Sequence, residues 1–248
     1  MHDFTYEYFV SGVKRKVHSF QKSRAIRKSD ALIAISQNTK NDLLKFNPLV
    51  DPEIVRVIYN GISPDYTPVE LGHGLQVGDY VLFVGAREGY KNFLAAVDAL
   101  KIEKDLNLVI VGRPLSNREI ELLESRIPNR YFCFSNVTNT RLNQFYCGAF
   151  AFVYPSSYEG FGIPVAEAMA AGCPVIAYNG SSIPEVAGEA GVLLDDINGE
   201  TIAAGLDDLL DSDYREIQVQ KGIRQATNFS WDRCYQETKE FYASVLQE

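Results

Sequence analysis

Several features that would place this chain in a special class of protein are scarce in its sequence or missing from it. Its 248 residues include four cysteines and no Cys-x-x-Cys pair, so we expect reduced thiols, with neither a disulfide framework nor a zinc site. No apolar run approaches the ~18 residues that a membrane-spanning helix needs. The first residues are polar and aromatic, unlike a secretory signal. These absences favour a globular protein of the cytoplasm.

Positive charge is also in short supply. The sequence holds 24 Lys and Arg against 32 Asp and Glu, for a net charge of −8, which argues against nucleic acid as the main partner. The charge is spread unevenly, because residues 1–46 carry nine basic and four acidic side chains. The amino-terminal part is therefore basic, and the remainder is strongly acidic.

Residues 10–28 combine an apolar stripe at helical spacing with seven basic residues. The stripe consists of Val10, Val13, Val17 and Phe20. One interpretation is a helix that lies on an anionic membrane surface, such as the inner face of a cell membrane. The other, which we favour from the sequence alone, is a helix whose apolar face packs inward and whose basic face is solvated.

Short apolar runs alternate with helical patterns along the chain. Predicted strands lie at 30–36, 54–58, 80–84, 106–111, 131–134, 149–154, 174–177 and 191–194, with predicted helices between most of them and after the last. This alternation predicts an α/β fold in which helices cover both faces of a parallel sheet. Ligands bind such sheets at the carboxyl ends of the strands, so the residues that follow strands are the informative ones.

The first candidate loop follows the strand at 80–84. Gly85 and Gly89 allow the backbone to approach a ligand closely, and Arg87 and Lys91 supply two cations. Two cations on one loop suit a dianionic ligand such as a diphosphate. The alternative is a surface loop with ordinary solvated charges.

The second candidate loop, at 154–167, follows the strand at 149–154. Gly160 and Gly162 leave the turn without side chains, and Pro164 suits the first turn of a helix whose amino terminus favours phosphate. Glu159 and Glu167 do not suit a phosphate but are good acceptors for sugar hydroxyls. Together these groups fit a nucleotide sugar. The alternative is a capping glutamate and a surface glutamate beside an incidental turn.

These motifs resemble those of retaining glycosyltransferases of family 4, over nearly the whole chain. The elements that carry the resemblance are 29–36, 58–61, 84–92, 108–112, the two glutamates at 159 and 167 with the segment that follows them to 176, 184–186 and 191–195. The resemblance implies the GT-B fold. The expected fold class is α/β with a Rossmann-like parallel sheet flanked by helices and an incomplete N-terminal Rossmann-like domain.

The resemblance also implies a division of the chain. Residues 1–61 would be a remnant of the acceptor domain, 62–78 a linker, 79–228 the nucleotide-sugar (donor) domain and 229–248 the crossover helix that packs back on the first domain. A whole GT-B enzyme has two Rossmann-like domains. We therefore expect a fragment, a truncated gene product or one half of a split enzyme.

Roles follow from the matching positions of the family. Arg87 and Lys91 would hold the diphosphate and offset the charge that develops on the leaving group. Glu159 would contact the transferred sugar, and Glu167 the ribose hydroxyls. The remaining donor contacts are expected from the main chain around Gly85, Val137 (at the base), Gly160, Phe161, Gly162 and Ile163.

His2 resembles the histidine at a strand end beside the donor sugar in this family, and is assigned to the catalytic set on that ground. The alternative is a disordered terminal residue. No metal is expected, because the sequence's one Asp-x-Asp, at 211–213, lies in a polar stretch and not after a strand. A dehydrogenase would need Gly-x-Gly-x-x-Gly, which the segment at 160–162 does not complete.

The sequence thus predicts a metal-independent retaining transferase that moves a hexose from a UDP- or GDP-sugar to a sugar or lipid-linked acceptor, in surface polysaccharide assembly. No cofactor is expected. One alternative is a non-catalytic nucleotide-sugar-binding module, or one subunit of a split transferase whose partner, or a second copy, completes the site. Another is an epimerase of the same fold, for which only His2 offers acid–base chemistry across the cleft.

Overall fold

The computed structural model describes residues 1–71 and 77–246. Five positions of the predicted linker, 72–76, and the last two of the predicted crossover segment, 247–248, lie outside the described residues. In the described parts of the chain all four cysteines are free thiols. No helix in these parts is both long enough and apolar enough to cross a bilayer.

The amino-terminal unit is a small layer of helices on two parallel strands. Its elements are α1 (Thr5–Phe9), α2 (Gly12–Ile26), β1 (Leu32–Ala34), α3 (Gln37–Phe46) and β2 (Val55–Val57). The two strands pair in parallel from Leu32 opposite Val55 to Ala34 opposite Val57. A small core under the helices, which includes Phe4 and Leu43, holds the unit together.

The larger unit is built on a six-stranded parallel sheet. Its strands are β3 (Tyr80–Val84), β4 (Asn107–Val111), β5 (Tyr131–Phe134), β6 (Ala151–Tyr154), β7 (Val175–Tyr178) and β8 (Val192–Leu194). They are ordered β5-β4-β3-β6-β7-β8. Along the sequence, strands are first added from β3 to one edge of the sheet (β4 and β5) and then from β6 to the other edge (β7 and β8). The point where this direction reverses, between β3 and β6, is where such sheets bind ligands.

Helices cover both faces of this sheet, as the strand pattern predicts. They are α4 (Phe93–Ile102), α5 (Asn117–Arg126), α6 (Asn139–Gly148), α7 (Ile163–Ala170), α8 (Ile183–Ala187), α9 (Gly199–Asp208) and α10 (Ser212–Ala226). The last helix, α11 (Trp231–Val245), follows them outside the two sheet cores. Leu82 of β3 packs into the core shared with α6, α7 and α10. Its neighbours Val81 and Phe83 pack into the opposite core, with α4, α5 and α9. Alternate side chains of a strand point to opposite faces, so two apolar faces require two helical layers.

One prediction about α2 is wrong. The apolar stripe on residues 10–28 does not pack inward, because Val13, Val17 and Phe20 are 75%, 51% and 62% exposed. Instead the helix packs through a more polar side, where Ile26 alone is buried. Helical periodicity reveals that a stripe exists, but tertiary packing decides which way it faces.

The two units meet along the chain's return path. The N–H of Ile62 donates to the carbonyl oxygen of Phe229 at 3.2 Å, and Ile62 and Ser230 form an isolated parallel bridge. Gly61 lies so close to the main chain of Trp231 that a Cβ would overlap it. The first turn of α11 is therefore fixed directly against the end of the amino-terminal unit.

Candidate functional site

The loop after β3 is fastened to the loop after β6. Asn92 adopts the left-handed conformation (φ 49°) at the start of α4. Its side-chain amide donates to the Pro155 carbonyl at 2.9 Å and to Ser157 Oγ at 2.6 Å. The Ser157 N–H donates in turn to the Tyr90 carbonyl at 2.8 Å. The two predicted ligand loops are therefore one structure at the carboxyl edge of the sheet, at the point where strand order reverses.

Lys91 and Glu159, predicted on separate loops, form an ion pair. Lys91 Nζ lies 2.6 Å from Glu159 Oε1, and the two side chains are 16% and 14% exposed. The ammonium group also lies over the rings of Tyr90 and Tyr154, at 5.1 and 5.6 Å from their centroids. The cation predicted to bind phosphate and the carboxylate predicted to bind hydroxyls therefore lie side by side, and each holds the other in place.

Arg87 points elsewhere. Its Nε lies 2.7 Å from Glu119 Oε1, and its Nη2 donates at 3.0 Å to the carbonyls of Arg113 and Pro114. The guanidinium holds the pKa of Glu119 far below its ordinary value. Its Nη1 is buried beside Gly112 and has no partner among the described residues. The structure therefore does not place Arg87 next to Lys91, and its contact with a diphosphate stays a prediction.

The turn from Glu159 into α7 presents free donors. Gly162 precedes the helix with φ 101°, and Pro164 occupies the first turn as predicted. Within the described parts of the chain, no acceptor takes the main-chain N–H groups of Gly160, Phe161, Gly162 and Ile163. Consecutive unpaired donors at a helix amino terminus form a site for an anion or for sugar oxygens.

Two serines, which the sequence analysis did not single out, hold this turn in shape. Ser182 Oγ lies 3.0 and 2.8 Å from the carbonyl oxygens of Glu159 and Phe161, which share its single proton. The Glu159 N–H donates to Ser181 Oγ at 3.0 Å. The carbonyl oxygens of the turn are therefore satisfied within the protein, whereas the N–H groups of residues 160–163 remain available to a ligand. In the sequence, the serine pair followed by Ile183 and Pro184 was the available sign of a structured turn at this position.

His2 lies at this turn through its main chain. Thr39 Oγ1 lies 3.0 and 3.3 Å from the carbonyl oxygens of Gly160 and His2, which share its single proton. Gly160 is packed so tightly on the His2 carbonyl that a Cβ would overlap it. The imidazole itself is exposed. The amino-terminal unit thus reaches the predicted donor site at His2, as the sequence analysis expects.

Glu167 lies one turn into α7, in a pocket of tyrosines. The Tyr146 hydroxyl donates to its Oε2 at 3.3 Å. Burial raises the pKa of Glu167 above its ordinary 4.5, although hydrogen bonds from Tyr146 and Tyr66 act in the opposite direction. The carboxylate is thus desolvated and only partly satisfied, a state that favours a ligand with hydroxyl groups to donate.

Two further predicted positions lie at the same edge of the sheet. Gly85 follows β3 with φ 117°, a conformation that favours glycine. Val137 lies between β5 and α6, half-buried against the same core as Leu82. No group of three or more His, Cys, Asp and Glu side chains that could hold a metal occurs in the parts of the chain that the structure describes. Metal independence stays a prediction.

Glu185 is a contact that the sequence analysis quoted only as part of a motif. Its carboxylate accepts the N–H groups of Gln37 and Asn38, at 2.8 and 3.0 Å, at the amino terminus of α3. It also accepts the Tyr59 hydroxyl at 3.1 Å. A negative charge at a helix amino terminus is stabilising, so Glu185 joins the larger unit to the smaller one beside the site.

Two family models match the chain. The model described as "Glycosyl transferases group 1" matches residues 76–226, and that described as "Glycosyltransferase Family 4" matches residues 1–66. The first covers the six-stranded sheet with all of the predicted donor residues except His2, and the second covers the amino-terminal unit.

Curated relatives align over most of the chain. It is 30% identical over 251 residues to O-antigen chain mannosyltransferase B of Escherichia coli, an alignment that covers 92% of this chain and 65% of the relative. It is also 30% identical to O-antigen chain mannosyltransferase RfbU of Salmonella typhimurium, over 71% of this chain and 50% of that protein. The chain thus spans less than two thirds of the length of these relatives.

Solved structures share the fold at low identity. Sucrose-phosphate synthase from Thermosynechococcus elongatus superposes with a TM-score of 0.81 at 20% identity, over 98% of this chain and 66% of that one. Anabaena HepE, in complex with UDP and glucose, gives 0.79 at 18% identity over 92% and 67%. WaaG, a glycosyltransferase involved in lipopolysaccharide biosynthesis, gives 0.73 at 17% identity over 92% and 66%. These likenesses confirm the predicted α/β fold of GT-B type.

Proposed function

We propose that this chain, which belongs to the group 1 glycosyl transferases, carries the donor site of an enzyme that moves a hexose from a UDP- or GDP-sugar to a hydroxyl acceptor. The observation that carries the proposal is the cluster at the carboxyl edge of β3 and β6. There the Lys91–Glu159 pair and the free donors at 160–163 lie on two loops joined by Asn92, and the desolvated Glu167 lies in the helix that follows the second loop.

Each group suits one part of a nucleotide sugar. Lys91 and the N–H groups of the turn would hold the diphosphate and stabilise the negative charge that appears as the sugar leaves. Glu167 would accept the ribose hydroxyls, and Glu159 the hydroxyls of the transferred hexose. Arg87 would assist through its Nη1, which is buried and has no hydrogen-bond partner among the described residues.

We further propose a retaining, metal-independent reaction. The diphosphate leaves toward Lys91, and the acceptor hydroxyl attacks the anomeric carbon on the face that the diphosphate vacates. The hydroxyl proton passes to the departing phosphate oxygen, so that atoms and charge balance without a protein nucleophile. Glu159 positions the donor in this scheme, and His2 lies beside the transferred sugar.

The relatives narrow the acceptor and the setting. Two of them are O-antigen chain mannosyltransferases, so a sugar or lipid-linked acceptor in surface polysaccharide assembly, reached from the cytoplasm, is the setting that we propose. GDP-mannose and UDP-glucose are then the first donors to test.

The test measures donor binding and transfer separately. A nucleotide sugar present at 100 times its Kd should stabilise the folded chain by about 2.7 kcal/mol, seen as a rise in Tm in a screen of UDP-, GDP- and ADP-sugars. Donor turnover is then followed as release of nucleotide diphosphate, with and without a candidate acceptor. Binding without turnover would favour the non-catalytic module or split-enzyme alternative, and the absence of any binding would remove the proposal.

Glu167 gives a sharper test of the ribose contact. Glu167→Gln should weaken nucleotide binding by roughly 10- to 100-fold in calorimetry, because a hydrogen bond to a charged group contributes about 1.5–3 kcal/mol. In the native chain the carboxylate must be ionised to accept two hydroxyls. Because the pKa of Glu167 is raised, nucleotide affinity should begin to fall at a higher pH than it would for a carboxyl group of ordinary pKa.

The control for this prediction is Glu121→Gln on the exposed side of α5, which should leave affinity and its pH profile unchanged. Tyr146→Phe, which removes one hydrogen bond to the carboxylate, should move the pH midpoint upward. If Glu167→Gln bound nucleotide as well as the native chain, the assigned role would be wrong.

A further inference from the structure

Tyr158 is a residue of the larger unit whose side chain lies in the smaller one. Its main chain belongs to the loop after β6, directly before Glu159. Its ring is part of the core of the amino-terminal unit, together with Phe4 and Leu43. The other buried side chains of that core, within the described parts of the chain, all come from residues 1–57. A side chain of the candidate donor loop thus completes the core of the neighbouring unit.

The Tyr158 hydroxyl has two partners in that core, one on α3 and one in the segment that follows His2. It donates to Asp42 Oδ2 at 2.7 Å and accepts the N–H of Phe4 at 3.0 Å. Tyr158 and Asp42 are only 7% and 6% exposed, so water competes little for these hydrogen bonds. Burial and the Asp42 carboxylate raise the pKa of Tyr158 far above its ordinary value, and the hydroxyl therefore remains a donor.

Asp42 binds hydroxyl groups from both units. Its Oδ1 accepts the hydroxyl of Tyr8, in α1, at 2.6 Å, while its Oδ2 accepts that of Tyr158. The rings of the two tyrosines also pack together, with centroids 5.0 Å apart. Hydrogen bonds to an ionised acceptor are stronger than those between neutral groups, so Asp42 is a firm attachment point for the donor loop.

The residues on either side of Tyr158 are bound to the donor site. Ser157 Oγ accepts the Asn92 amide at 2.6 Å, and the N–H of Glu159 donates to Ser181 Oγ at 3.0 Å. Consecutive Cα atoms lie about 3.8 Å apart across a trans peptide, so Tyr158 cannot shift without moving Glu159. The side chain of Tyr158 therefore links the position of Glu159 to the amino-terminal unit.

We infer that Tyr158 is a positioning residue for Glu159, and that its hydroxyl, held by Asp42 and Phe4, sets the place of the carboxylate that receives the transferred hexose. The inference rests on the proposed function, because it takes Glu159 as the contact of that hexose. It adds a role for the amino-terminal unit in recognising the donor sugar, through Asp42, besides its contact at His2.

Calorimetry with a nucleotide sugar and with its nucleoside diphosphate isolates the hexose contact. We define the hexose ratio as the Kd of GDP divided by that of GDP-mannose, or the Kd of UDP divided by that of UDP-glucose, for the donor that the native chain binds. Contacts to the base, the ribose and the phosphates largely cancel in this ratio. Glu159→Gln should lower it roughly tenfold, the effect of losing one hydrogen bond to a charged group. Tyr158→Phe, which keeps the ring, should lower it about fivefold, because Glu159 is displaced and not removed.

Tyr8→Phe is the matched control. It removes a hydroxyl beside the same carboxylate, from a residue that has no main-chain connection to the donor loop. Both tyrosine variants should lower Tm, because each leaves Asp42 one hydrogen bond short, but only Tyr158→Phe should lower the hexose ratio. Asp42→Ala should lower the ratio as Tyr158→Phe does, and the double variant should lower it no further.

Three results would overturn the inference while the proposed function stands. They are an unchanged hexose ratio in Tyr158→Phe, an equal fall in Tyr8→Phe, and additive losses in the double variant of Tyr158 and Asp42. Each would mean that the Tyr158 hydroxyl does not position Glu159 through Asp42. A native chain that binds no nucleotide sugar, or a Glu159→Gln variant with the native hexose ratio, would instead contradict the proposed function.

Discussion

Replacing Lys91 with alanine should lower kcat for glycosyl transfer by about 10²- to 10³-fold, the usual loss when one pre-positioned donor to a developing anion is removed. The structure places Lys91 at the start of the turn that carries the free donors, because its ammonium lies 2.6 Å from Glu159. Arg87 cannot take over without leaving Glu119, to which its Nε is bound at 2.7 Å.

The same change has a second effect, which the experiment must separate from the first. It leaves Glu159 largely buried without its cation, and we expect a loss of about 2 kcal/mol of folding free energy, less than for a fully buried pair because water reaches both groups. The double variant Lys91→Ala, Glu159→Gln removes both charges and should recover most of that stability. It should not recover kcat, since the leaving group still lacks its cation.

Lys101→Ala provides the matched control. Lys101 lies at the end of α4 and pairs with Asp98 at 3.8 Å, so its removal deletes the same charge at an exposed position on the same segment. Its kcat and Tm should stay close to the native values. A Lys91→Ala enzyme with native kcat, or a loss of kcat that the double variant restores, would show that Lys91 serves stability alone.

The sheet and its ligand edge follow from sequence because they depend on local patterns. The strands at 80–84 and 131–134 have the predicted bounds, and the other strands of the larger sheet differ from prediction by one or two residues at an end. The sequence analysis did not predict the ion pair of Glu159 with Lys91 of the first loop, although the topology brings both loops to one edge of a parallel sheet. Five-residue helices such as α1 and α8 are too short to show a helical period.

The sequence alone does not show which carboxylate pairs with each cation. Arg87 and Lys91 look equivalent on one loop, yet one faces Glu119 across the edge of β4 and the other faces Glu159. Tertiary packing decides this, because the two carboxylates lie 32 and 68 residues away from their partners along the chain. The same applies to α2, whose apolar stripe would suit either the core or the surface until the packing of Ser19, Lys22 and Ile26 is known.

Replacing Gly160 with alanine should lower transfer about 100-fold while free nucleotide binds within a few-fold of the native affinity. The added Cβ would overlap the His2 carbonyl oxygen and lie 3.0 Å from both the His2 carbonyl carbon and Asp3 Cβ. The two backbone segments cannot both stay in place, so the amino-terminal segment around His2 must move away from the turn by about 1 Å. A displacement of that size at a reacting centre typically costs about 10²-fold in rate. In the proposed site, nucleotide affinity rests on Glu167, one turn into α7, and is expected to persist.

A double-mutant cycle shows whether this loss acts through His2. If His2 functions beside the transferred sugar, His2→Ala should reduce transfer in the native chain and add little in the Gly160→Ala background, where the residue is already displaced. Thr39→Val removes the hydroxyl that lies within hydrogen-bond distance of both carbonyls and adds no atom to the contact. It should lower transfer only a few-fold. Additive losses would mean that Gly160 and His2 act independently. Displacement of the segment around His2 alone would leave the ribose contact intact. Equal losses of transfer and of nucleotide affinity in Gly160→Ala would therefore mean that the whole turn has collapsed.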